Sequence, residues 1–174
     1  TSKSEVAESA INVGAEIIND ISGLRFDQQI AEISAKHKTG LVLMHLRGEF
    51  DTMHKQEPVT DILQEVADGL HWSVEKAKNF GIQNNQISLD IGIGFSKTLE
   101  QNLELLARLA ELSVQFKDYP MLVGTSRKSF IGKVLDEPDA AKRLSGSLSS
   151  ATIAIWNGAK IVRVHDVKET VETV

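Results

Sequence analysis

The 174-residue sequence contains no cysteine. The chain therefore has no disulfide framework and no thiolate chemistry, and we expect a cytoplasmic protein. No apolar run is long enough to span a bilayer, so no membrane partner is expected. Positive charge is scarce as well, because 19 Lys and Arg stand against 24 Asp and Glu and give a formal net charge of −5. This balance argues against nucleic acid as the main partner.

Short apolar runs are present instead, and they alternate with segments of helical periodicity. Hydrophobic residues make up 41% of the chain, as in an ordinary globular protein with one packed core. Each apolar run is followed by a predicted helix, and this alternation predicts an α/β fold with a parallel sheet and right-handed crossovers. The predicted strands cover residues 15–18, 41–44, 86–89, 121–123 and 159–164.

Capping signals and apolar periodicity predict the main helices. Ser2 and Glu5 have the spacing of a capping box, and so do Thr98 and Gln101. A long helix is predicted after Pro138; one face is expected to be apolar and buried, and another carries small residues suited to close packing. The two sets are Leu144, Leu148, Ala151 and Ile155, and Ser145, Gly146, Ser149 and Ser150.

Polar side chains cluster at the carboxyl ends of the predicted strands. Enzymes with parallel sheets, both barrels and open sheets, place their sites at these ends. Five separate strand ends that all carry charged or amide groups are hard to explain by solvation alone, so we expect a functional site there. The residues are Asn19, Asp20, His45, Asp90, Lys128, Arg163 and His165.

The turn after the fourth predicted strand has the features of an anion site. Residues 119–132 read YPMLVGTSRKSFIG, in which a strand ending at Gly124 precedes a short predicted helix around Phe130. Two hydroxyls and two cations lie between them, and the free N–H groups at a helix start favour a bound anion. A solvated turn that carries two basic residues is the alternative.

Six blocks of sequence together resemble the dihydropteroate synthase family. SRKSFIG and RVHDV are highly specific for it, and the blocks follow the family's order and spacing through the whole chain. The blocks are IINDISG (17–23), LMHLRG (43–48), LDIGIGFSKT with Asn102 (89–102), LVGTSRKSFIG (122–132), RLSGSLSS (143–150) and IVRVHDVKETVE (161–172). The resemblance implies a TIM (β/α)8 barrel and a homodimer through C-terminal helices, for which the small-faced helix at 139–157 is a candidate.

The resemblance also implies a reaction of folate biosynthesis. The family condenses 4-aminobenzoate with 6-hydroxymethyl-7,8-dihydropterin diphosphate to give 7,8-dihydropteroate and diphosphate. Diphosphate leaves with Mg²⁺ assistance, through a dissociative transition state with a pterin cation. The loop that holds Mg²⁺ is expected in a part of the barrel upstream of Thr1, so we assign no metal ligand in this chain.

The resemblance assigns pterin recognition to Asn19 and Asp90. The chemistry of the amide and guanidine-like edge of a pterin agrees, because Asn offers a donor and an acceptor and a carboxylate accepts two N–H bonds. Met44 and Phe95 are expected to line the ring pocket. The alternatives are that Asn19 caps a turn, that Asp90 caps the glycine loop after it, and that Met44 is only a core residue.

The same resemblance assigns catalytic roles to Lys128, Arg163 and His165. Lys128 matches the lysine that contacts the pterin ring near the aminobenzoate, and Ser126 beside the helix start suits the aminobenzoate carboxylate. Arg163 and His165 match the pair that holds the diphosphate, where departing charge must be stabilised. The alternatives are that Lys128 is a solvated turn cation, and that Arg163 and His165 form a structural ion pair with Asp166.

Departures from the family concern length and loops. A full barrel takes about 250 residues and eight strands, whereas the predicted strands here match the fourth to the eighth. We therefore expect residues 1–174 to form a single pterin-binding domain without the first three strands and with a shortened last helix, and to be inactive alone. Ile91 and Ser96 stand where the family has proline and a glycine or alanine. His45 and Arg47 are open between anchoring a loop and contacting substrate.

Two other functions share part of this pattern. A non-catalytic, truncated pterin-binding module would keep the same strand ends without turnover. A pterin-dependent methyltransferase domain would share the Asn and the Asp, but SRKSFIG and RVHDV are not expected in it.

Overall fold

The computed structural model describes residues 1–49, 51–52 and 56–174, and its elements alternate as predicted. Within these residues, five strands form one parallel sheet in chain order: β1 (Ile17–Asp20), β2 (Gly40–Met44), β3 (Ile87–Asp90), β4 (Met121–Val123) and β5 (Ile161–Val162). The described residues also form eight α-helices: α1 (Ser4–Asn12), α2 (Gln29–His37), α3 (Ile62–Asn79), α4 (Leu99–Ala107), α5 (Leu109–Gln115), α6 (Ser129–Leu135), α7 (Leu144–Trp156) and α8 (Val167–Thr173). The α/β fold with a parallel sheet is confirmed.

The two faces of the sheet differ in what they contact. Successive side chains of a strand point to opposite faces, so alternate residues share one environment. One set packs with the helices in the hydrophobic core: Ile18, Leu41, Leu43, Ile87, Leu89, Met121 and Val123. The intervening residues, among them Asn19, Met44 and Asp90, therefore lie on the face that forms the interior of a TIM barrel. The chain thus has the fold of five consecutive strand–helix units of such a barrel.

The register of the sheet aligns the polar strand ends. Met44 is paired with Asp90, the last residues of β2 and β3, while Asp20 at the end of β1 is paired with Leu43. The N–H of His45 then donates to the carbonyl of Asp90 (2.8 Å) and extends this pairing by one bond. The carboxyl ends of the first three strands therefore lie within one residue of the same level.

Of the two predicted capping boxes, one is confirmed and one is wrong. Gln101 N–H donates to Thr98 Oγ1 (3.2 Å) and Thr98 N–H donates to Gln101 Oε1 (3.1 Å), so α4 begins as predicted. Helix α1 begins at Ser4 and has no side-chain cap at the preceding residue. The N–H of Ser4 donates instead to Asp27 Oδ2 (2.7 Å), which lies beyond β1 in the sequence.

The outer strands are displaced from their predicted bounds. β1 begins two residues later than expected, because the N–H of Ala15 donates to the carbonyl of Ala10 (2.9 Å) and completes the turn that ends α1. Asn19 and Asp20 are therefore the last residues of β1 rather than following it. β5 is much shorter than residues 159–164, because the N–H of Ala159 donates to the carbonyl of Ala154 at the end of α7.

The predicted buried face of the long helix is wrong except for one residue. Of the apolar set, only Ala151 is buried, and Ile155 is 36% exposed. The buried residues of α7 are small: Ser147, Ser150, Ala151 and Ala154. Small side chains let α7 approach its neighbours closely, and a Cβ on Gly146 would lie 2.4 Å from Ile131 Cγ2 on α6. No helix among the described residues is both long and apolar enough to cross a membrane.

Candidate active site

A buried carboxylate lies at the centre of the strand ends. Asp90 is 2% exposed, and its Oδ1 accepts the N–H of Gly92 (2.8 Å). Burial raises the pKa of Asp90, while the Gly92 bond and the positive charges of Lys128 and Arg163 act to lower it. Asp90 does cap the loop after it, as one alternative predicted, but only one of its two oxygens makes that bond. The carboxylate is therefore placed among cations on the interior face.

Asn19 and Asp20 have separate tasks at the end of β1. Asp20 forms the following turn: Oδ1 accepts from Ser22 Oγ (2.7 Å) and Oδ2 accepts the N–H of Leu24 (2.7 Å). Asn19 Oδ1 is buried, yet it has no hydrogen-bond partner among the residues that the structure describes. A buried acceptor without a partner is costly unless a ligand supplies the donor. The turn is thus capped by Asp20, and the Asn19 acceptor remains for a ligand.

The glycine loop after β3 is held in an unusual backbone conformation. Gly92 and Gly94 have φ angles of 68° and 80°, which glycine adopts without strain. A Cβ on Gly92 would lie 2.0 Å from the carbonyl oxygen of His45. Asn102 on α4 fixes the loop, because its Oδ1 accepts the N–H of Gly94 (2.6 Å). Ile91, which stands where the family has proline, is fully buried in the core.

Lys128 is directed from the turn before α6 towards this loop. Its Nζ donates to the carbonyl of Ile93 and lies 4.8 Å from the centroid of the Phe95 ring. Removal from water lowers the pKa of Lys128 to about 8, although the charge of Asp90 raises it. These contacts contradict the alternative of a solvated turn cation. They also bring Asp90, Phe95 and Lys128 together in one group.

Ser126 contacts His165 rather than standing free. Ser126 is 5% exposed; its Oγ accepts the N–H of His165 (3.2 Å) and lies 3.0 Å from His165 Nδ1. This pair joins the turn after β4 to the turn after β5. The imidazole is exposed, so it is oriented by the hydroxyl and open to a ligand.

Arg127 and Arg163 have different surroundings. The Arg127 guanidinium forms the ion pair with Asp166 and holds the pKa of that carboxyl below its usual value. The alternative in which Arg163 and His165 form a structural ion pair with Asp166 is therefore wrong. Arg163 is exposed and has no carboxylate within 4.0 Å among the described residues. It lies over the end of β4, because a Cβ built on Gly124 would be 3.2 Å from Arg163 Nη2. Its charge is available to an anion.

The end of β2 and the loop after it contain one buried residue, Met44, and one anchor, Arg47. Met44 is 1% exposed and is paired with Asp90 on the interior face, so it is buried next to the site. Arg47 Nη2 donates to the carbonyl of Glu57 (2.8 Å), and its Nε lies 3.3 Å from Glu65 Oε1. Of the two roles left open for Arg47, the structure favours anchoring of the loop.

Sequence reasoning missed Lys97. Its Nζ donates to the carbonyls of Gly92 (2.9 Å) and Phe95 (3.0 Å) and lies 3.1 Å from His45 Nδ1. Removal from water lowers the pKa of Lys97 to about 7. Its position directly after the glycine loop is the signal that would have drawn attention to it, because a cation there can reach the loop carbonyls.

Comparison with known proteins places the chain among pterin-binding enzymes. The family described as pterin binding enzyme matches residues 1–165. A dihydropteroate synthase of Synechocystis is 45% identical over 168 residues, which are 97% of this chain and 57% of the relative. Two structures of dihydropteroate synthase from Thermus thermophilus, in complex with 4-aminobenzoate and with 6HMPPP, have TM-scores of 0.92 and 38% identity over 99% of this chain. The chain covers 65% and 67% of those two.

Proposed function

The chain belongs to the pterin-binding enzyme family, and we propose that the whole protein is a dihydropteroate synthase. It would condense 4-aminobenzoate with 6-hydroxymethyl-7,8-dihydropterin diphosphate, releasing diphosphate and forming 7,8-dihydropteroate. The relatives' names support this proposal. Because the chain spans 57% of the Synechocystis relative, the activity is a proposal for the whole protein, and residues 1–174 would be one pterin-binding domain of it.

Asp90 carries the proposal. Asp90 is removed from water and keeps one oxygen without a backbone donor, and it lies two strands from the unpaired acceptor of Asn19 on the same face of the sheet. These acceptors match a ligand edge rich in N–H donors. In a pterin these donors are the ring amide and the amino group. As the bond to diphosphate breaks, positive charge develops on the pterin, and a carboxylate already in place stabilises that charge without reorganisation.

The cations of the site would handle the other two parts of the reaction. Arg163 and His165, both exposed beside the end of β4, would bind the diphosphate and stabilise its growing charge as it leaves. Lys128 and Phe95 would hold the pterin ring, with Met44 behind them. The 4-aminobenzoate amine would then attack the pterin methylene carbon and lose its proton.

The carboxylate of 4-aminobenzoate would bind at the start of α6. Ser126 is expected to provide this contact, and its hydroxyl lies 3.0 Å from His165 Nδ1, which would orient it. The N–H groups of Ser129 and Phe130, the first two residues of this helix, have no side-chain cap at Lys128 and would be available to an anion.

Mg²⁺ is part of the implied chemistry, and none of the described residues is assigned to it. Residues 1–49, 51–52 and 56–174 contain no group of three or more His, Asp or Glu side chains that could hold a metal ion. We therefore derive no step through the metal.

A homodimer through the C-terminal helices is also proposed. The support is apolar surface on α6 and α7, where Val134, Ile153 and Trp156 are 56%, 48% and 86% exposed. Replacing Ile153 or Trp156 by Lys should convert the dimer to a monomer in sedimentation velocity; an unchanged sedimentation coefficient in both variants would argue against this interface.

A cytoplasmic location is proposed from the absence of cysteine.

Condensation activity tests the function. The whole protein is given both substrates, and dihydropteroate is measured with Asp90→Asn and with Asp118→Asn, an exposed control before β4. We expect Asp90→Asn to lower kcat/KM by at least about 100-fold, because it removes a charge that acts in the transition state, and the control to leave it unchanged. Equal kcat/KM in both variants would contradict the role of Asp90.

A non-catalytic pterin-binding module, which would keep the same strand ends without turnover, is the second candidate. It is distinguished by the same assay together with a binding measurement. If 6-hydroxymethylpterin binds and Asp90→Asn abolishes that binding, while no dihydropteroate forms, the module is correct and the synthase proposal is wrong.

A further inference from the structure

Ser96 joins the loop after β3 to the loop after β2. Its buried hydroxyl donates to the carbonyl of Arg47 (2.8 Å) and accepts the N–H of the same residue (3.3 Å). One side chain thus satisfies both backbone groups of a residue in another loop. Both bonds require a fixed separation of the two loops, because hydrogen bonds weaken steeply with distance and angle.

Lys97 reinforces this junction from the neighbouring position. The three protons of its ammonium match three acceptors, namely the carbonyls of Gly92 and Phe95 and the Nδ1 of His45. Burial, and then the positive charge of Lys97, lower the pKa of His45 well below its usual value, so the neutral ring can accept at Nδ1. Like Ser96, Lys97 therefore contacts the loops after both β2 and β3.

An ion-pair role does not explain Lys97. Among the described residues, no carboxylate oxygen lies within 4.0 Å of its Nζ. A cation that is largely removed from water is instead held by backbone carbonyls and one imidazole. Its hydrogen bonds fix the path of the backbone, and two of its partners belong to the loop that precedes it.

We propose that Ser96 and Lys97 are positioning residues for the candidate site, which hold the loop after β3 against the loop after β2. That loop carries the partners of two site residues. Its Gly92 N–H binds Asp90, and its Ile93 carbonyl accepts from Lys128. A displaced loop would move both groups at once. This inference rests on the proposed function only for the identity of the ligand.

Two variants separate the parts of this junction. Ser96 has a φ of 55°, which glycine adopts without strain, so Ser96→Gly removes the hydroxyl bonds and keeps the backbone favourable. Lys97→Met removes the ammonium and keeps an unbranched apolar side chain. Lys117→Met is the control, because Lys117 is exposed and precedes β4 at the opposite end of the sheet.

Two measurements are made on the full chain: amide hydrogen exchange of residues 92–95 and the dissociation constant for 6-hydroxymethylpterin. We expect exchange to be about tenfold faster in Lys97→Met and about threefold faster in Ser96→Gly. The dissociation constant should rise by similar factors in the two variants, and in Ser96→Gly it should do so at an unchanged melting temperature, which a merely structural role would not produce. Lys117→Met should match the unaltered chain in both the exchange rate and the dissociation constant.

Several results would overturn the inference. The first is an exchange rate of residues 92–95 in Ser96→Gly that equals the rate in Lys117→Met. If Lys97→Met does not fold, the Ser96→Gly result alone tests the inference. The second is faster exchange of residues 92–95 with an unchanged dissociation constant for the pterin. If the unaltered chain binds no pterin, the proposed function fails, while loop exchange still decides whether the two residues position the loop.

Discussion

Replacement of Lys128 by Met should stabilise the chain at neutral pH. Removal from water lowers the pKa of Lys128 from 10.5 to about 8, although the charge of Asp90 raises it. The folded chain therefore binds this proton less tightly than the unfolded chain, and the difference opposes folding wherever the ammonium is charged. Each pKa unit corresponds to about 1.36 kcal/mol, so the cost below pH 8 is about 3 kcal/mol.

The cost should disappear with rising pH. Between the folded pKa of about 8 and the unfolded value of 10.5, the folded chain has lost the proton and the unfolded chain has kept it, so stability increases with pH. From about pH 7 to about pH 9.5, the unaltered chain should gain about 2 kcal/mol relative to Lys128→Met. Both chains contain every other titrating group. Lys97 is the one that also titrates near this range, because burial and, to a smaller extent, the charge of Lys128 lower its pKa to about 7.

Urea unfolding followed by tryptophan fluorescence measures this quantity at both pH values. The difference at pH 7 also includes the lost cation–π contact with Phe95 and the lost bond to Ile93, so its change with pH is decisive. Lys117→Met controls for removal of a lysine as such. A stability difference that is the same at both pH values would refute the reasoning that folding removes the Lys128 ammonium from water.

Three further predictions concern the diphosphate site, a helix start and the glycine loop. Arg163→Met should weaken binding of inorganic diphosphate at least about tenfold in calorimetry, because a charged hydrogen-bond donor is lost; equal affinity would contradict the assignment. Thr98→Ala should lower the free energy of unfolding by about 1 kcal/mol through loss of the cap on Gln101; an unchanged urea midpoint would show that the cap contributes little. Gly92→Ala should cost more than about 2 kcal/mol, because φ is 68° and the Cβ would meet the His45 carbonyl; an unfolding curve like that of the unaltered chain would exclude the clash.

Local patterns in the sequence predicted the order of elements well. The capping box of Thr98 and Gln101 lies within four residues, and β4 is a short apolar run between Pro120 and Gly124, so neither depends on the rest of the chain. Strand ends are also local features. Since parallel strands must bring their carboxyl ends to one edge, predicting Asn19 and Asp90 at strand ends already predicted that they lie at the same edge of the sheet.

Contacts between distant residues could not be predicted in this way. The cap of α1 comes from Asp27, on the far side of β1, and no spacing rule reveals it. The buried face of α7 is small because α7 packs closely against its neighbours, whereas the periodicity of large apolar residues favours an adjacent face that shares only Ala151 with it. Lys97 was missed because its role depends on the distance between two loops.

The loop after β3 and the turn after β4 each contain one non-glycine residue with a positive φ angle. Ser96 and Arg127 have φ angles of 55° and 58°, a conformation that costs energy for residues other than glycine, and each directly precedes a lysine directed into the site. Each is held by its own long-range bonds, Ser96 to the Arg47 backbone and Arg127 to Asp166 and to Ser147. The strain is therefore offset at the residue that bears it.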